Sequence, residues 1–199
     1  MRRGKPYHHG NLREALLKAA IRLIAEVGPT AFTLREVARR AGISHNAPYR
    51  HFRDKDDLLA AVAAQGFREL TQAMLDGAGQ QSDAIQRLKG AGLAYVRFAL
   101  RRPEHFTVMF DAPVLKGDRR EPAEAGQQAF SPLLNFVKSC QDEGRLRSGD
   151  TLELALLAWS MVHGIAKLAI TGRLPYQSTA EIFKFAGFVI DQSLPVRAR

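Results

Sequence analysis

Basic side chains crowd the first quarter of the chain, and the chemistry that such side chains offer is the binding of anions. Residues 1–55 hold 12 Lys and Arg against 4 Asp and Glu, whereas the remaining residues hold 17 against 16. A cationic segment of this kind indicates a phosphate-rich partner such as nucleic acid. A solvated surface that only aids solubility would carry the same charge, so the motifs around it must distinguish the two explanations.

Patterns that would support catalysis or metal binding are missing from the sequence. It has no Gly-rich phosphate loop, no metal-ligand spacing and no nucleophile elbow. The Tyr7-His8-His9-Gly10 cluster has no carboxylate or Cys partner nearby. The carboxylate pairs Asp56-Asp57 and Asp142-Glu143 lie at predicted helix ends, where capping explains them. We therefore expect no enzyme, no metal and no cofactor.

Composition is typical of a soluble globular protein. The 199 residues are 46% hydrophobic and 25% charged, enough to bury a core in one or two domains. The single Cys140 excludes an internal disulfide, and the charged first residues contain no apolar leader, so we expect a cytoplasmic protein. The longest uncharged apolar stretch, residues 154–166, is shorter than the ~20 residues that span a bilayer, so we expect a buried helix and no membrane.

Two helices are predicted before residue 42. Apolar residues recur three and four positions apart over residues 12–27, which predicts a first helix with Asn11 as its N-cap. A second helix is predicted over residues 34–41. Its start carries a capping box, because Thr33 is followed three residues later by Glu36.

A helix-turn-helix unit is predicted next. Gly42 ends the second helix, and the turn Gly42-Ile43-Ser44 leads into a third helix that should reach Phe52. Glycine at this point can take the left-handed conformation that swings the third helix across the second. A fourth helix should begin after Asp54, with Asp57 as its capping-box partner. Such a unit lays its second helix in the major groove of DNA.

Five further helical segments are predicted, and no strand pattern appears. They cover residues 83–101, 104–110, 123–143, 151–171 and 179–193, and Pro132 should kink or split the third of them. The predicted fold class is therefore all-α. We divide the chain into a basic arm with the helix-turn-helix, residues 1–55, and a helical domain, residues 56–199.

Several features of residues 12–62 occur together at fixed spacing. They are an apolar first helix, the segment Thr-Leu-Arg-Glu-Val-Ala-Arg-Arg-Ala-Gly-Ile-Ser over 33–44, Tyr-Arg-His-Phe over 49–52, and a Lys that opens the fourth helix at 55. This combination resembles the TetR family of bacterial transcriptional regulators. Residues 159–164, Trp-Ser-Met-Val-His-Gly, resemble a signature of one subgroup of that family. The resemblance implies a three-helix N-terminal DNA-binding domain and a C-terminal helical domain for ligand binding and dimerisation.

The resemblance also implies a DNA-contact role for nine residues. The expected readers of the major groove are Ser44, His45, Asn46 and Ala47; the expected phosphate contacts are Tyr49, His51, Lys55 and Thr33; and Arg35 would reach a base or a phosphate.

Structural explanations exist for several residues of this segment. Arg39 and Arg40 are as easily a solvated helix face, and His51 as easily a half-buried packing residue. Pro48 leaves the register of the third helix open, because it removes an N–H. A cap at Ser44 would cost the first intrahelical bond, whereas a cap at His45 or Asn46 would place the ring in the first turn.

The C-terminal domain is expected to supply a dimer interface and an effector pocket. A short reading helix touches one groove segment, so specific binding needs two copies about 34 Å apart. In the family the last two helices pair with their counterparts, which implies an interface at Leu152, Leu156, Ile182, Phe185 and Val189. The pocket candidates are Phe98, His105, Phe106, Met109, Phe110, Phe136, Cys140, Trp159 and His163. Core packing is the simpler explanation for each pocket candidate taken alone.

The expected function is therefore that of a sequence-specific transcriptional regulator. We expect a homodimeric repressor that binds a double-stranded DNA operator and is released by a mainly apolar small-molecule effector. The alternative is an all-α protein that binds a ligand or a partner without reading DNA sequence. An all-α enzyme is a third and weaker alternative, since no catalytic constellation is visible.

Overall fold

The computed structural model describes residues 9–79, 81, 83–111 and 120–194. These residues form eight α-helices and one 3₁₀ helix, η1. The helices are α1 (His9–Val27), α2 (Leu34–Ala41), η1 (Pro48–Arg50), α3 (Lys55–Ala78), α4 (Ala84–Arg101), α5 (Pro103–Asp111), α6 (Arg120–Asp142), α7 (Thr151–Ile170) and α8 (Thr179–Ser193). The all-α prediction is confirmed for the described residues.

The second helix forms as its sequence predicts. The Thr33 hydroxyl accepts the N–H of Glu36 at 3.3 Å, and the Glu36 carboxylate accepts the N–H of Thr33 at 2.7 Å. Helix α1 differs at its start, because it begins at His9 and contains Asn11 rather than using it as a cap. The first turn of a helix has no intrahelical acceptors for its N–H groups, so the chain can continue through Asn11 at little cost.

The predicted third helix over residues 44–52 is wrong. The chain instead makes a turn and then the short η1. The Ser44 carbonyl accepts the N–H of Ala47 at 3.0 Å, because Pro48, the residue that an α-helix would use, has no N–H. The Pro48 carbonyl then accepts both the His51 and the Phe52 N–H groups at 2.9 Å. Proline thus starts the only helical turn of this segment.

Helix α3 begins where the sequence predicts, but its capping box differs from the predicted one by one residue. Asp54 accepts the N–H of Asp57 at 2.7 Å, as an N-cap does. The Asp57 carboxylate accepts the N–H of Arg53 at 3.1 Å, one residue before the cap. This start ties the end of the helix-turn-helix segment to α3.

The remaining helices follow the predicted segments within a few residues. Helix α6 continues through Pro132, so the predicted split is wrong. Proline leaves the carbonyl of Gln128 without its helical partner. Gln128 is exposed, so water can satisfy that carbonyl and the helix is not broken.

The described residues form two compact units. The first takes in residues up to Gln65 and those from Glu104 to Ala123, and the second takes in Gly66–Pro103 and the residues from Glu124 onward. Helix α3 contributes to both units, since the division falls after Gln65. The division into functional domains at residue 55 stays a prediction.

The second unit is built around α4, which packs along both α7 and α8. The contact faces carry small and branched side chains, among them Val96, Ala99, Ala155 and Ala166, all fully buried. Helix α7 is also long and apolar enough to cross a membrane, although by length and composition alone. It also packs along α4 and α8, and one such helix is weak evidence for a membrane span.

Helices α3 and α4 meet at two glycines with almost no space between their backbones. A Cβ on Gly90 would lie 2.2 Å from the Gly77 carbonyl oxygen, and a Cβ on Gly77 would lie 2.4 Å from the Ala94 Cβ. These distances are far below van der Waals contact, and a backbone carbonyl cannot turn aside as a side chain does. Only glycine at both positions permits this crossing.

Replacing Gly90 by Ala should therefore destabilise the protein. The added methyl group forces the two helices apart, and we expect the free energy of unfolding to fall by about 1–3 kcal/mol, measured by urea denaturation at fixed protein concentration. Gly187→Ala is the matched control, because its Cβ would meet nothing within 4 Å. That change should be neutral or stabilising by up to about 1 kcal/mol. Equal stability of the two variants would contradict the tight crossing.

Candidate functional site

The turn between α2 and η1 carries a set of exposed polar side chains. Ser44, His45 and Asn46 are exposed, and Tyr49 is 51% exposed. The turn is shaped by Gly42, which has φ +69° and donates its N–H to the carbonyls of Ala38 and Arg39. The result is a short polar tip that extends from a closed helix end.

Two buried side chains anchor this tip from below. Pro48 is fully buried, and Phe52 is 3% exposed. The guanidinium of Arg13 on α1 lies 5.6 Å from the centre of the Phe52 ring. Tyr49 and Arg50, which lie between these two buried residues, are exposed to solvent. The polar tip therefore has a fixed base, which a recognition surface requires.

Lys55 has a partner within the chain. Its Nζ donates to the carbonyl of Thr30 at 2.8 Å and lies 5.5 Å from the centre of the buried Phe32 ring. The sequence analysis favoured phosphate as the reason for a Lys at a helix N-terminus. The structure supplies a second reason, because Lys55 links the start of α3 to the segment between α1 and α2. An ammonium has three N–H groups, so one bond to Thr30 is compatible with a further acceptor.

His51 packs beside Phe52, and its expected phosphate contact stays a prediction. It is half-buried and its ring lies 6.5 Å from that of Phe52. Its Nε2 is buried and has no hydrogen-bond partner among the described residues. A buried polar atom in that state costs about 1–3 kcal/mol.

The remaining predicted DNA contacts are Arg35, Ala47 and Thr33. Arg35 is exposed on α2, and Ala47 is half-buried under the tip. Thr33 is exposed, but its hydroxyl belongs to the capping box. Arg40 forms an ion pair with Glu26 of α1, which supports its reading as a structural surface residue.

Sequence reasoning passed over two further cations next to the tip. Arg50 and Arg53 are both exposed, and Arg53 pairs with Asp57 at 3.4 Å. Arg50 lies within the Tyr49 to Phe52 segment that carried the resemblance, and Arg53 follows it directly. Their proximity to that motif was the available signal.

The nine predicted pocket residues are divided between the two compact units. His105, Phe106, Met109 and Phe110 belong to the first unit, whereas Phe98, Phe136, Cys140, Trp159 and His163 belong to the second. Five of them are core residues with exposed fractions of 6% or less: Phe98, His105, Phe106, Met109 and Cys140. Their burial is consistent with core packing, and their role in a pocket stays a prediction.

Trp159 and His163 are half-buried and share a buried partner that the sequence analysis missed. Tyr95 on α4 is 3% exposed, and its hydroxyl lies 2.8 Å from Nδ1 of His163. The same hydroxyl accepts the Nε1–H of Trp159 at 3.2 Å. Burial raises the pKa of Tyr95, so the hydroxyl keeps its proton. The three side chains form a hydrogen-bonded polar cluster in a helical core.

Cys140 lies in a second polar environment at the base of α4. Glu143 accepts the Ala84 N–H at 3.0 Å and pairs with Arg87 at 2.9 Å, while Arg145 pairs with Asp83 at 2.8 Å. Burial, and then the negative charge of Glu143, raises the pKa of the Cys140 thiol to about 11. The thiol is therefore protonated at neutral pH and a poor nucleophile.

A groove with a volume of about 480 Å³ lies in the second unit, away from the predicted pocket residues. Its walls are the end of α3, the start of α4 and the end of α8, and the Lys89–Asp191 ion pair of 2.5 Å borders it. None of the nine pocket candidates lines it.

The predicted dimer residues differ in their solvent exposure. Leu152 and Leu156 on α7 are 50% and 41% exposed. Ile182 is buried within its own chain, and the half-buried Phe185 packs 5.3 Å from the ring of Tyr176. Val189 is half-buried. Exposed apolar side chains that the sequence analysis did not name are Leu157, Leu168 and Phe188, the last 61% exposed.

Two family models match the chain. One, described as bacterial regulatory proteins of the tetR family, matches residues 16–62. The other, described as a tetracyclin repressor-like C-terminal domain, matches residues 88–187. The first contains the turn and its exposed tip, and the second contains Tyr95, Trp159 and His163.

Individual proteins and a solved structure are also similar to the chain. The HTH-type transcriptional repressor Rv3405c of Mycobacterium tuberculosis is 36% identical over 86 residues, 43% of this chain and 45% of that protein. The chain thus matches under half the length of that relative. A probable acrEF/envCD operon repressor of Escherichia coli is 25% identical over 195 residues, 92% of this chain and 84% of that protein. A solved structure from Rhodococcus sp. RHA1, a protein with unknown function, is 36% identical with a TM-score of 0.82, over 96% of this chain and all of that one.

Proposed function

The chain belongs to the TetR family of bacterial transcriptional regulators, and we propose that it is a cytoplasmic, homodimeric repressor that binds a specific DNA operator. The observation that carries this proposal is the exposed tip of Ser44, His45, Asn46 and Tyr49, held by the left-handed turn at Gly42. These side chains offer donors and acceptors of the kind that read base edges and hold phosphates.

The charge around the tip supports a nucleic acid as the partner. Arg35, Arg50 and Arg53 are exposed on the elements that flank the tip. Together with the expected contacts of Tyr49, His51 and Lys55, they would hold phosphates of the duplex. Phosphate contacts of this kind position a protein on the duplex, while the tip supplies the sequence preference.

The recognition helix in this proposal is shorter than that of a typical helix-turn-helix. Pro48 restricts the regular turn to Pro48–Arg50, so the base-reading residues 44–47 precede it. The 3₁₀ turn has Ala47 at its N-cap position without a side-chain cap bond, which is neither of the caps considered from the sequence. We assign the base contacts to His45 and Asn46 and leave Ala47 as an apolar contact to a thymine methyl group.

A small-molecule effector in the helical second unit completes the proposal. Trp159 and His163 are the two of the nine pocket candidates that combine partial exposure with hydrogen bonding to the core. Binding there would regulate DNA affinity by favouring one arrangement of the two copies over another. The alternative is a helical ligand-binding protein that does not read DNA sequence. Such a protein would enrich no consensus sequence in a DNA selection.

The deciding experiment is a selection of bound DNA from a randomised duplex library. We expect a partly palindromic consensus, and Asn46→Ala should lower affinity for that site by about 1–3 kcal/mol while leaving affinity for unrelated DNA unchanged. Fluorescence anisotropy measures both affinities. Asn135→Ala removes an exposed amide from α6 and should have no effect. A library that emerges without any consensus would favour the non-reading alternative.

Lys55 should contribute one phosphate contact in addition to its bond to Thr30. Lys55→Met keeps an apolar stem near Phe32 and removes the charge, and we expect the slope of log affinity against log salt to flatten by about one unit for all sequences. Lys18→Met removes the same charge from an exposed position of α1 and should leave the slope nearly unchanged. An unchanged slope in Lys55→Met would limit Lys55 to its structural role.

The exposed leucines of α7 should support a homodimer. We expect sedimentation equilibrium to show dimers at micromolar concentration, and Leu156→Glu to shift the protein towards monomers because it places charge in an apolar interface. Leu75→Glu is the control, since Leu75 is 45% exposed on α3. A wild-type protein that is monomeric at micromolar concentration would refute the interface.

A further inference from the structure

The groove of about 480 Å³ in the second unit is formed by three helices, each of which contributes a glycine to its wall. They are Gly77 on α3, Gly90 on α4 and Gly187 on α8. A Cβ on Gly187 would meet nothing within 4 Å, so the space beside this part of the wall is open. The volume lies within the range of small-molecule sites, about 300–1,000 Å³.

The groove lies on the side of α8 that faces away from the expected dimer contacts. Gly187 and Asp191 are one turn apart and line it, whereas Phe185 and Val189, expected at the dimer interface, each come two positions earlier. Residues two apart in an α-helix point about 200° apart, which is to nearly opposite sides. A dimer that forms through Phe185 and Val189 would therefore leave the groove accessible.

Two opposite charges lie together at the edge of the groove. Nζ of Lys89 on α4 lies 2.5 Å from Oδ1 of Asp191 on α8, and the side chains are 26% and 56% exposed. An ammonium has three N–H donors, and a carboxylate has about four acceptor positions. The pair can therefore bind further groups without being broken.

The electrostatics of this pair favour a ligand that carries both signs of charge. A lone anion beside the pair is attracted by Lys89 and repelled by Asp191 from nearly the same distance, so the two energies almost cancel. A lone cation meets the same cancellation with the signs reversed. A zwitterion can place its carboxylate beside Lys89 and its ammonium beside Asp191, so both of its charges are attracted.

The rest of the wall combines amide groups with an apolar surface. Gln81 and Gln86 line the groove, and a side-chain amide both donates and accepts, so it suits either charged group of a zwitterion. Leu93 of α4 is half-buried and supplies most of the apolar wall, since Ile190 of α8 is only 4% exposed. An apolar side chain on the ligand would cover Leu93.

We propose that this groove is a binding site for a small zwitterion with an apolar side chain, the chemistry of a neutral branched amino acid. The site lies apart from the position proposed for the effector, since neither Trp159 nor His163 lines the groove. The second unit would thus hold a small-molecule site in addition to the one that the proposed function requires.

Three probes with the same apolar body test the ligand class. Leucine carries both charges, 4-methylpentanoate lacks the ammonium, and 3-methylbutylamine lacks the carboxylate. Titrated into the full-length protein labelled with ¹⁵N, leucine should shift the amide signals of Gly77, Gly90 and Gly187. We expect each of the other two probes to bind about fivefold more weakly, as the loss of one partly exposed charge pair implies. Absence of leucine-dependent shifts at these glycines, or equal affinity for the three probes, would overturn the proposal.

Charge removal at the edge of the groove should reverse the preference between the probes. In Asp191→Asn we expect leucine to bind about fivefold more weakly and 4-methylpentanoate to bind more tightly than in the wild type. In Lys89→Met, leucine should again weaken while 3-methylbutylamine gains. A general loss of structure would weaken all three probes together. Lys138→Met is the matched control, because Lys138 pairs with Asp142 on the surface of α6 and should leave all three affinities unchanged. Unaltered probe preference in both groove variants would overturn the proposal.

Discussion

The left-handed turn at Gly42 is the constraint on which the proposed recognition surface depends. Its φ of +69° is a conformation that L side chains rarely adopt, and its N–H closes the end of α2 on two carbonyls. Everything that follows, from the polar residues 44–46 to the buried Pro48 and Phe52, takes its direction from that residue. A side chain at this position would strain the backbone at the point where α2 ends and the exposed tip begins.

Local chemistry made much of the fold predictable from the sequence. The capping box of Thr33 and Glu36 and the cap at Asp54 involve residues three apart, so their spacing alone was sufficient. The third helix was wrong because the missing N–H of Pro48 was taken to affect only the position of the cap, whereas the chain forms turn bonds there instead of an α-helix. Tyr95 escaped notice for a different reason. Its partners lie 64 and 68 residues away, and no periodicity links positions on different helices.

Charge counting predicted the region of interest but not the function of individual cations. Lys55 bonds to Thr30, Arg40 pairs with Glu26, and Arg13 lies over Phe52. Part of the positive charge in the first unit therefore stabilises the unit itself, through contacts that a sequence cannot reveal. These contacts leave the net charge unchanged, and Arg35 and Arg50 are exposed near the tip.

The seclusion of Cys140 has a practical consequence for anyone who wishes to attach probes to this protein. It is the sole thiol of the chain, it is fully buried, and its proton is held more firmly than that of a free cysteine. A cysteine introduced on an exposed helix would react with maleimides far faster than the native one. Spin labels or fluorophores can thus be placed at chosen sites in the wild-type background, without first removing a residue on which the core packs.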